Sequence, residues 1–283
     1  MTNDQWIQKA ADQFKLAKIE TARLDAEVLL GYMLGVDRAW LAAHGDESLF
    51  GTALKFKGSP RRGSLLEHGE QLVLKRLRRT PVAYLTGQKE FYGRDFIVTP
   101  DVLIPRPETE MLVELAKQHR LSGQLLDVGT GSGCLGLTLA LETDAQVTLS
   151  DVSDAALEVA RTNAKRLGVK KLNLVQSDLL GVFAIQSILK RFDVIVANLP
   201  YVDKTWDRSP ETAHEPAQAL FSGDGGLELI KQLIDQSPDA LKPGGYLLLE
   251  ADPMQHEDIA TYARQFAIVA RQDYGVLLRL NQE

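Results

Sequence analysis

Four consecutive residues in the second half of the chain carry groups that could hold a flat, nitrogen-bearing substrate. In Asn198-Leu199-Pro200-Tyr201, the Asn198 side-chain oxygen and the Leu199 carbonyl can each accept one N–H bond. Pro200 favours an extended Leu199, which aims that carbonyl, and Tyr201 offers a ring for stacking. The set suits chemistry on a planar, conjugated nitrogen, and we predict all four residues as catalytic. A turn that merely ends a strand is the alternative.

A glycine-rich turn upstream could bind a second, nucleotide-like ligand. It follows a predicted strand, and its glycines allow the backbone to approach a ligand at the start of the next helix. Asp151 ends the following strand, where an acidic side chain can meet a ribose diol. We therefore predict an adenosine-containing cofactor. The predicted cofactor-binding residues of the turn are Gly129, Thr130, Gly131, Ser132 and Gly133.

Three further residues are predicted to border the cofactor. Asp178, after the third predicted strand, could accept a hydrogen bond from the adenine amino group, and Leu179 could pack on the ring. Helix capping remains open for Asp178. Asn198 ends the fourth strand and should lie near the same ligand. Arg106 could support this pocket or pair with Glu108 or Glu110, and the sequence does not decide between them.

The glycine pattern by itself does not identify the reaction. Gly131-x-Gly133-x-x-Gly136 also matches the dinucleotide fingerprint of dehydrogenases. Asp127 before the turn, together with the motif that begins at Asn198, favours methyl transfer instead, because hydride transfer does not require that motif. We predict S-adenosylmethionine as cofactor, with S-adenosylhomocysteine as product. No metal is expected, since the five histidines show no ligand spacing.

The elements that position these residues are predicted to alternate between strands and helices. This alternation is typical of βαβ units with a parallel sheet. The predicted fold class is α/β: a Rossmann-like class I methyltransferase domain with a mostly parallel seven-stranded sheet, preceded by a small helical domain. The predicted strands are residues 124–128, 146–150, 172–176, 192–197 and 245–250, with a closing hairpin at 266–270 and 276–280.

The chain before the glycine turn divides into a helical part and a linker. We predict a helical domain at 1–85, a hairpin linker at 86–103 and the methyltransferase domain at 104–283. Within the first, an apolar stripe predicts a helix that ends at Gly35. Residues 51–64 have loop composition. The basic cluster 75–79 is interpreted as a solvated helix face rather than a contact with RNA or an acidic partner.

Whole-chain composition narrows the class of protein. The 283 residues favour two units, with 45% hydrophobic and 25% charged residues. The net charge of −6 argues against broad binding to a nucleic-acid backbone. The lone cysteine, Cys134, is expected to be a small buried side chain. Without a signal segment or an apolar span, we expect a cytoplasmic protein and no membrane contact.

Two segments around the linker resemble the release factor glutamine N5-methyltransferase family. They are Pro81-Val-Ala-Tyr-Leu-Thr-Gly-Gln-Lys-Glu-Phe-Tyr-Gly93 and Leu103-Ile-Pro-Arg-Pro-Glu-Thr-Glu110. The resemblance covers nearly the whole chain, with 51–64 matching least. Shorter similar segments are Ala22–Leu30, Glu215-Pro216, Gly223–Leu227 and Leu249-Glu250 with Gln255.

The resemblance implies an activity and a partner. The expected substrate is the glutamine of the Gly-Gly-Gln tripeptide in a peptide-chain release factor, methylated on its side-chain amide nitrogen, with the 1–85 domain gripping the factor. Proximity to the ribosome would come through the factor, and no direct nucleic-acid contact is expected.

Leu199 keeps a second substrate open. The family's usual motif is Asn-Pro-Pro-Tyr, whereas Asn-Leu-Pro-Tyr is the form seen in adenine dimethyltransferases of ribosomal RNA. The backbone carbonyl is the same in both. An rRNA adenine amino-methyltransferase, expected to carry a C-terminal helical domain, is therefore the alternative. A non-catalytic scaffold with a methyltransferase fold is a third reading, which the intact Asn198, Asp151 and glycines disfavour.

Overall fold

The computed structural model describes residues 1–56, 62–185 and 191–282. Its chain divides into two compact units. The first comprises Met1–Gly87 together with the short segment Pro210–His214, and the second comprises Gln88–Ser209 and Glu215–Glu283. No helix in the described ranges is long and apolar enough to cross a membrane.

The first unit is helical, as predicted. α2 ends where the sequence predicted, because Gly35 adopts a left-handed conformation with φ of 74°. Thr2 caps α1 in a reciprocal capping box with Gln5. The buried faces of these helices form one apolar core. The helices are α1 (Asn3–Leu16), α2 (Ala22–Leu34), α3 (Arg38–Ala43), α4 (Leu49–Phe56), α5 (Arg62–Leu77) and α6 (Val82–Thr86).

The interpretation of residues 51–64 as a loop is wrong at both ends. Residues 51–56 belong to α4 and 62–64 to α5, while 57–61 lie outside the described residues. Ala53 is fully buried in the core, and Thr52 accepts a hydrogen bond from buried Asn3 at 3.1 Å. Tertiary packing therefore overrides the glycine- and serine-rich composition that favoured a loop.

The basic cluster at 75–79 is not a uniformly solvated face. Arg76 is only 4% exposed, and its Nε lies 2.7 Å from Asp25 Oδ2 of α2. Its Nη1 also lies 2.8 Å from Glu211 Oε1, and Arg79 contacts the same oxygen at 3.2 Å. The solvated-face prediction is therefore wrong for Arg76, whose buried charge is compensated by two carboxylates.

The second unit alternates strands and helices after an initial hairpin. The predicted hairpin is present as two short antiparallel strands with Tyr92-Gly93 at the turn. The strands are β1 (Gln88–Phe91), β2 (Arg94–Ile97), β3 (Gln124–Val128), β4 (Gln146–Asp151), β5 (Asn173–Gln176), β6 (Phe192–Ala197), β7 (Leu241–Glu250), β8 (Phe266–Gln272) and β9 (Gly275–Leu280). The helices are α7 (Glu110–Gln118), α8 (Cys134–Glu142), α9 (Asp154–Leu167), α10 (Gly181–Ile185), α11 (Glu228–Ala240) and α12 (His256–Tyr262).

Seven of these strands form one sheet in the order β5-β4-β3-β6-β7-β9-β8. The first five are parallel, and β9 runs antiparallel to both of its neighbours. This confirms the predicted mostly parallel seven-stranded sheet. Apolar clusters cover both of its faces, which explains why β3 and β6 are almost continuously apolar.

The register places the predicted site residues along one edge. Ala197 at the end of β6 pairs with Val128 on one side and with Leu249 on the other. Asn198 therefore follows β6 between the glycine turn and Glu250. Ligands bind in open α/β sheets at this carboxyl edge, so the topology alone brings the glycine turn and the motif that begins at Asn198 together.

Candidate functional site

A cavity of about 140 Å³ lies at the carboxyl edge of the parallel strands. Gly133 and Tyr201 are not among the described residues that line it, although both were predicted as site residues. The other predicted residues all line it: Gly129, Thr130, Gly131, Ser132, Asp151, Asp178, Leu179, Asn198, Leu199 and Pro200.

The turn after β3 needs glycine at three positions. Gly129, Gly131 and Gly133 have φ values of 71°, 54° and 81°, a region that side chains with a Cβ rarely adopt. A Cβ on Gly133 would also lie 2.9 Å from Leu137 Cδ1. Gly133 therefore permits the close packing of α8 under the turn, while the preceding residues face the cavity.

Asp127 is a buried carboxyl group beneath this turn. Its Oδ2 accepts hydrogen bonds from Thr130 Oγ1 at 2.6 Å and from the Gly136 N–H at 3.0 Å. Burial raises the pKa of Asp127 to about 7, against the opposing effect of these two bonds. A cationic ligand in the cavity would favour the ionised form. The sulfonium and ammonium groups of S-adenosylmethionine meet that requirement, so the residues fit the predicted cofactor.

Asp151 connects the end of β4 to the glycine turn. Its Oδ2 accepts from the Gly131 N–H at 2.9 Å, and its Oδ1 accepts from the Ser153 N–H at 2.9 Å. Each oxygen retains a second lone pair that can accept a hydroxyl. Burial raises the pKa of Asp151, and these backbone bonds oppose the shift. The arrangement suits a ribose diol at the cavity wall.

Asp178 and Leu179 border the cavity after β5. Leu179 is 7% exposed and has a φ of 44°, which is uncommon for a residue other than glycine. The Ser177 hydroxyl donates to the Leu179 carbonyl at 2.9 Å and holds this conformation. Asp178 is exposed at the cavity wall. These positions are compatible with the predicted contacts to an adenine ring.

Asn198 is oriented by a residue that the sequence did not single out. Its Nδ2 donates to Thr109 Oγ1 at 2.9 Å, which leaves Oδ1 to accept from a ligand. Thr109 is 2% exposed, ends the 3-10 turn Pro107–Thr109 and lines the cavity. Leu199 is 4% exposed and packs in the core beside the glycine turn.

Tyr201 is held at both its side chain and its backbone. Its hydroxyl donates to Glu250 Oε1 at 3.0 Å, and burial raises its pKa. Gln255 Nε2 donates to the Tyr201 carbonyl at 3.0 Å and to the Gly225 carbonyl at 2.8 Å. A Cβ on Gly226 would lie 1.9 Å from the Tyr201 carbonyl oxygen, so that position requires glycine.

Arg106 is paired across the cavity wall with Glu215. Arg106 Nη2 lies 2.5 Å from Glu215 Oε1, and the Ile104 N–H donates to Glu215 Oε2 at 3.1 Å. Of the two suggestions for Arg106, support of the pocket matches the structure, whereas its carboxylate partner is Glu215 rather than Glu108 or Glu110. Glu215 therefore fastens the cavity-lining segment 102–106 to the segment that begins at Pro216.

Breaking this pair should weaken cofactor binding moderately. We expect Glu215→Gln to lower S-adenosylmethionine affinity by roughly threefold to tenfold. The glutamine can still accept the hydrogen bond from the Ile104 N–H, but it removes the negative charge that faces Arg106. The effect is moderate because the Arg106 side chain is about a third exposed. Arg106→Gln should have a similar effect. Calorimetry on both single variants and the double variant gives the coupling; effects that simply add would show that the two residues act independently.

Three residues that support the cavity walls and the Asn198 motif were not predicted from the sequence. Thr109, Glu215 and Glu250 all lie in segments that carried the family resemblance, and Arg106 was left undecided. Each is a polar side chain in a segment that resembles the family, and this could have marked it as a candidate. The role of each, however, depends on contacts between segments that lie far apart in the chain.

Two solved methyltransferase structures have a fold similar to that of this chain. The 16S rRNA N2 G1207 methyltransferase of T. thermophilus, in complex with AdoMet and guanosine, aligns with a TM-score of 0.51 and 19% identity over 69% of this chain and 50% of its own. A methyltransferase from Pyrococcus furiosus aligns with a TM-score of 0.51 and 20% identity over 68% of this chain and 92% of its own. At these identities the likeness shows the fold alone.

Similarity in sequence identifies the family of this chain, whereas the similar structures show only its fold. Residues 107–276 match the family model described as Methyltransferase small domain, and residues 5–56 match the PrmC N-terminal domain. The Release factor glutamine methyltransferase of Koribacter versatilis is 38% identical over 91% of this chain and 90% of its own. The protein of the same name from Escherichia coli is 34% identical over 92% and 89%. This chain, with its S-adenosylmethionine cofactor, therefore belongs to the release factor glutamine methyltransferase family.

Proposed function

We propose that this protein transfers a methyl group from S-adenosylmethionine to the side-chain amide nitrogen of the glutamine in the Gly-Gly-Gln motif of peptide-chain release factors. The observation that carries the proposal is the orientation of Asn198. With Nδ2 bonded to Thr109, its Oδ1 remains as an acceptor at the cavity wall. An acceptor is what a substrate amide, which presents two N–H donors, requires.

The chain's own residues perform the positioning. Asn198 Oδ1 and the Leu199 carbonyl accept the two N–H bonds of the amide, and Tyr201, which does not itself line the cavity, anchors the motif through its bond to Glu250. The bound cofactor supplies an electrophilic methyl group on its sulfonium. An amide nitrogen is a weak nucleophile because its lone pair is delocalised, so orientation contributes much, up to about 7–11 kcal/mol in well-aligned reactions. The proton can leave after the nitrogen is methylated, and no general base is needed.

The proposal also assigns a role to each part of the chain and a location to the protein. We propose that the helical segment 1–85 grips the factor, that 86–103 serves as a linker and that 104–283 carries the catalysis. The resemblance of residues 5–56 to the PrmC N-terminal domain supports a dedicated role for the first segment. Since release factors act during translation, we also propose a cytoplasmic location, with proximity to the ribosome arising only through the factor.

A transfer assay tests the substrate. Purified protein with tritiated S-adenosylmethionine should label a release factor that carries Gly-Gly-Gln and should not label the same factor with that glutamine changed to alanine. Protein-free ribosomal RNA should stay unlabelled. Labelling of the RNA but not of the factor would favour the adenine amino-methyltransferase that Leu199 keeps open. Labelling of neither would support the scaffold alternative.

A further inference from the structure

Glu250 is a buried carboxyl group directly behind the catalytic motif. It ends β7, is 1% exposed and follows Leu249, which pairs with Ala197. It therefore lies beside Asn198 at the carboxyl edge of the sheet. It does not line the cavity, so any effect it has on a substrate must pass through other residues.

Two residues face Glu250, and one of them, Thr109, lines that cavity. Tyr201 donates its hydroxyl to Glu250 Oε1 at 3.0 Å. The Thr109 hydroxyl faces the same carboxyl group and favours its ionised form. Within the described residues Oε2 has no hydrogen-bond partner although it is buried. Since the Thr109 oxygen accepts from Asn198, its own hydrogen is available to a neighbouring carboxylate oxygen.

The hydrogen-bond donors and acceptors from Glu250 through Thr109 to Asn198 determine which end of the Asn198 side chain meets a substrate. A carboxamide has nearly the same shape after a rotation of about 180° that exchanges oxygen and nitrogen. In one orientation it presents an acceptor to a substrate amide, and in the other it presents donors to donors. A Thr109 oxygen that must accept selects the first orientation, because it engages Asn198 Nδ2.

We propose that Glu250 and Thr109 are positioning residues, which fix the Asn198 carboxamide with its oxygen towards the substrate, and that Glu250 also anchors Tyr201 of the same motif. The inference rests on the proposed amide substrate and goes beyond it by assigning what orients the catalytic motif. Ionised Glu250 can accept from both hydroxyls, whereas a protonated carboxyl must itself donate one hydrogen, which competes with one of these bonds.

The surroundings of Glu250 predict where this change occurs. Burial, with a smaller contribution from Glu108, raises its pKa to about 7 against the opposing effects of Thr109, Tyr201 and Arg106. Cys134 of α8 also faces it, and burial keeps that thiol protonated with a raised pKa. Because the competent form is the ionised one, the rate of methyl transfer should rise as pH increases through about 7.

The test compares three variants with the wild type in single turnover at saturating cofactor. Thr109→Val removes the hydroxyl at nearly constant shape and should lower the rate about tenfold or more, as expected for a lost oriented hydrogen bond. Thr109→Ser keeps the hydroxyl and should retain most of the rate. Glu250→Gln should lower the rate and abolish its rise near pH 7. All three should bind S-adenosylmethionine within a few-fold of the wild type.

The outcomes separate the inference from the proposed function. If the wild type methylates the factor while Thr109→Val keeps its rate, or if Glu250→Gln keeps the pH dependence, the inference is overturned and the function stands. Asp127, whose pKa is also about 7, would then account for the pH dependence. A wild type inactive on the factor overturns both. If Glu250→Gln fails to fold, the comparison of the single-turnover rates of Thr109→Val and Thr109→Ser still tests the inference.

Discussion

Asn198→Ala is expected to lower the single-turnover rate of methyl transfer to a release factor by about 10²–10³-fold, by analogy with the loss of one positioned hydrogen-bonding group in a water-excluded site. In the proposed mechanism Asn198 provides an acceptor that its bond to Thr109 orients, and without it the substrate amide would lose one of two fixed bonds. Affinity for S-adenosylmethionine should remain within a few-fold, because the substitution leaves the proposed contacts of Asp151 and the glycine turn with the cofactor untouched. Rapid-quench measurement with saturating cofactor isolates the chemical step.

Leu199→Pro is the matched control within the same motif. The substitution keeps the backbone carbonyl and creates the family's commoner Asn-Pro-Pro-Tyr, so the single-turnover rate should be retained. Because Leu199 is 4% exposed in the core, the variant should unfold at a lower temperature than the wild type. A near-normal rate in Asn198→Ala would show that another group orients the substrate amide.

Asp151→Ala is expected to weaken S-adenosylmethionine binding by about 10²-fold. The proposed role of Asp151 is to accept two hydrogen bonds from the ribose hydroxyls, and each such bond to a charged carboxylate is worth at least about 1.5 kcal/mol. The variant also releases the Gly131 N–H, which Asp151 holds at 2.9 Å, and so loosens the glycine turn. Titration calorimetry of the purified protein measures the change directly.

Asp151→Asn provides the control for charge. It keeps an oxygen that can accept from Gly131, and its affinity should lie between those of the wild type and Asp151→Ala. Since burial raises the pKa of Asp151, wild-type affinity should fall on acidification at a higher pH than for an ordinary aspartate, and neither variant should show that fall through this group. Unchanged affinity in Asp151→Ala, or tighter binding of NAD by the wild type, would contradict the assignment.

Local sequence patterns determined most of the second unit. The limits of β3 and β6 agree with the predicted strands 124–128 and 192–197, which follow from their apolar runs and from the turn residues that flank them. Once alternating strands and helices require a parallel sheet, the carboxyl ends of the strands must share an edge. The grouping of Asp151, the glycine turn and Asn198 around one cavity was therefore predictable from the sequence.

The first unit shows where composition misled. The stretch from Gly51 to Ser64 contains turn-forming residues, yet both of its described ends are helical, and at the first of them Thr52 and Ala53 are buried in the core. Arg76 has the sequence context of a solvated cation, but it is buried against Asp25 and Glu211. Helix propensity and charge patterning are weak signals, and packing between distant segments outweighed both.

The sequence by itself determined which residues could do the chemistry: a glycine turn that only glycine can form, an acidic residue at the next strand end, and an asparagine whose neighbouring carbonyl is aimed by a proline. Only the tertiary structure decided how these groups are held. Thr109 lies 89 residues before Asn198, and Glu250 lies 49 residues after Tyr201. No local pattern encodes such pairs, because a hydrogen bond between segments so far apart exists only after the sheet has brought them to one edge.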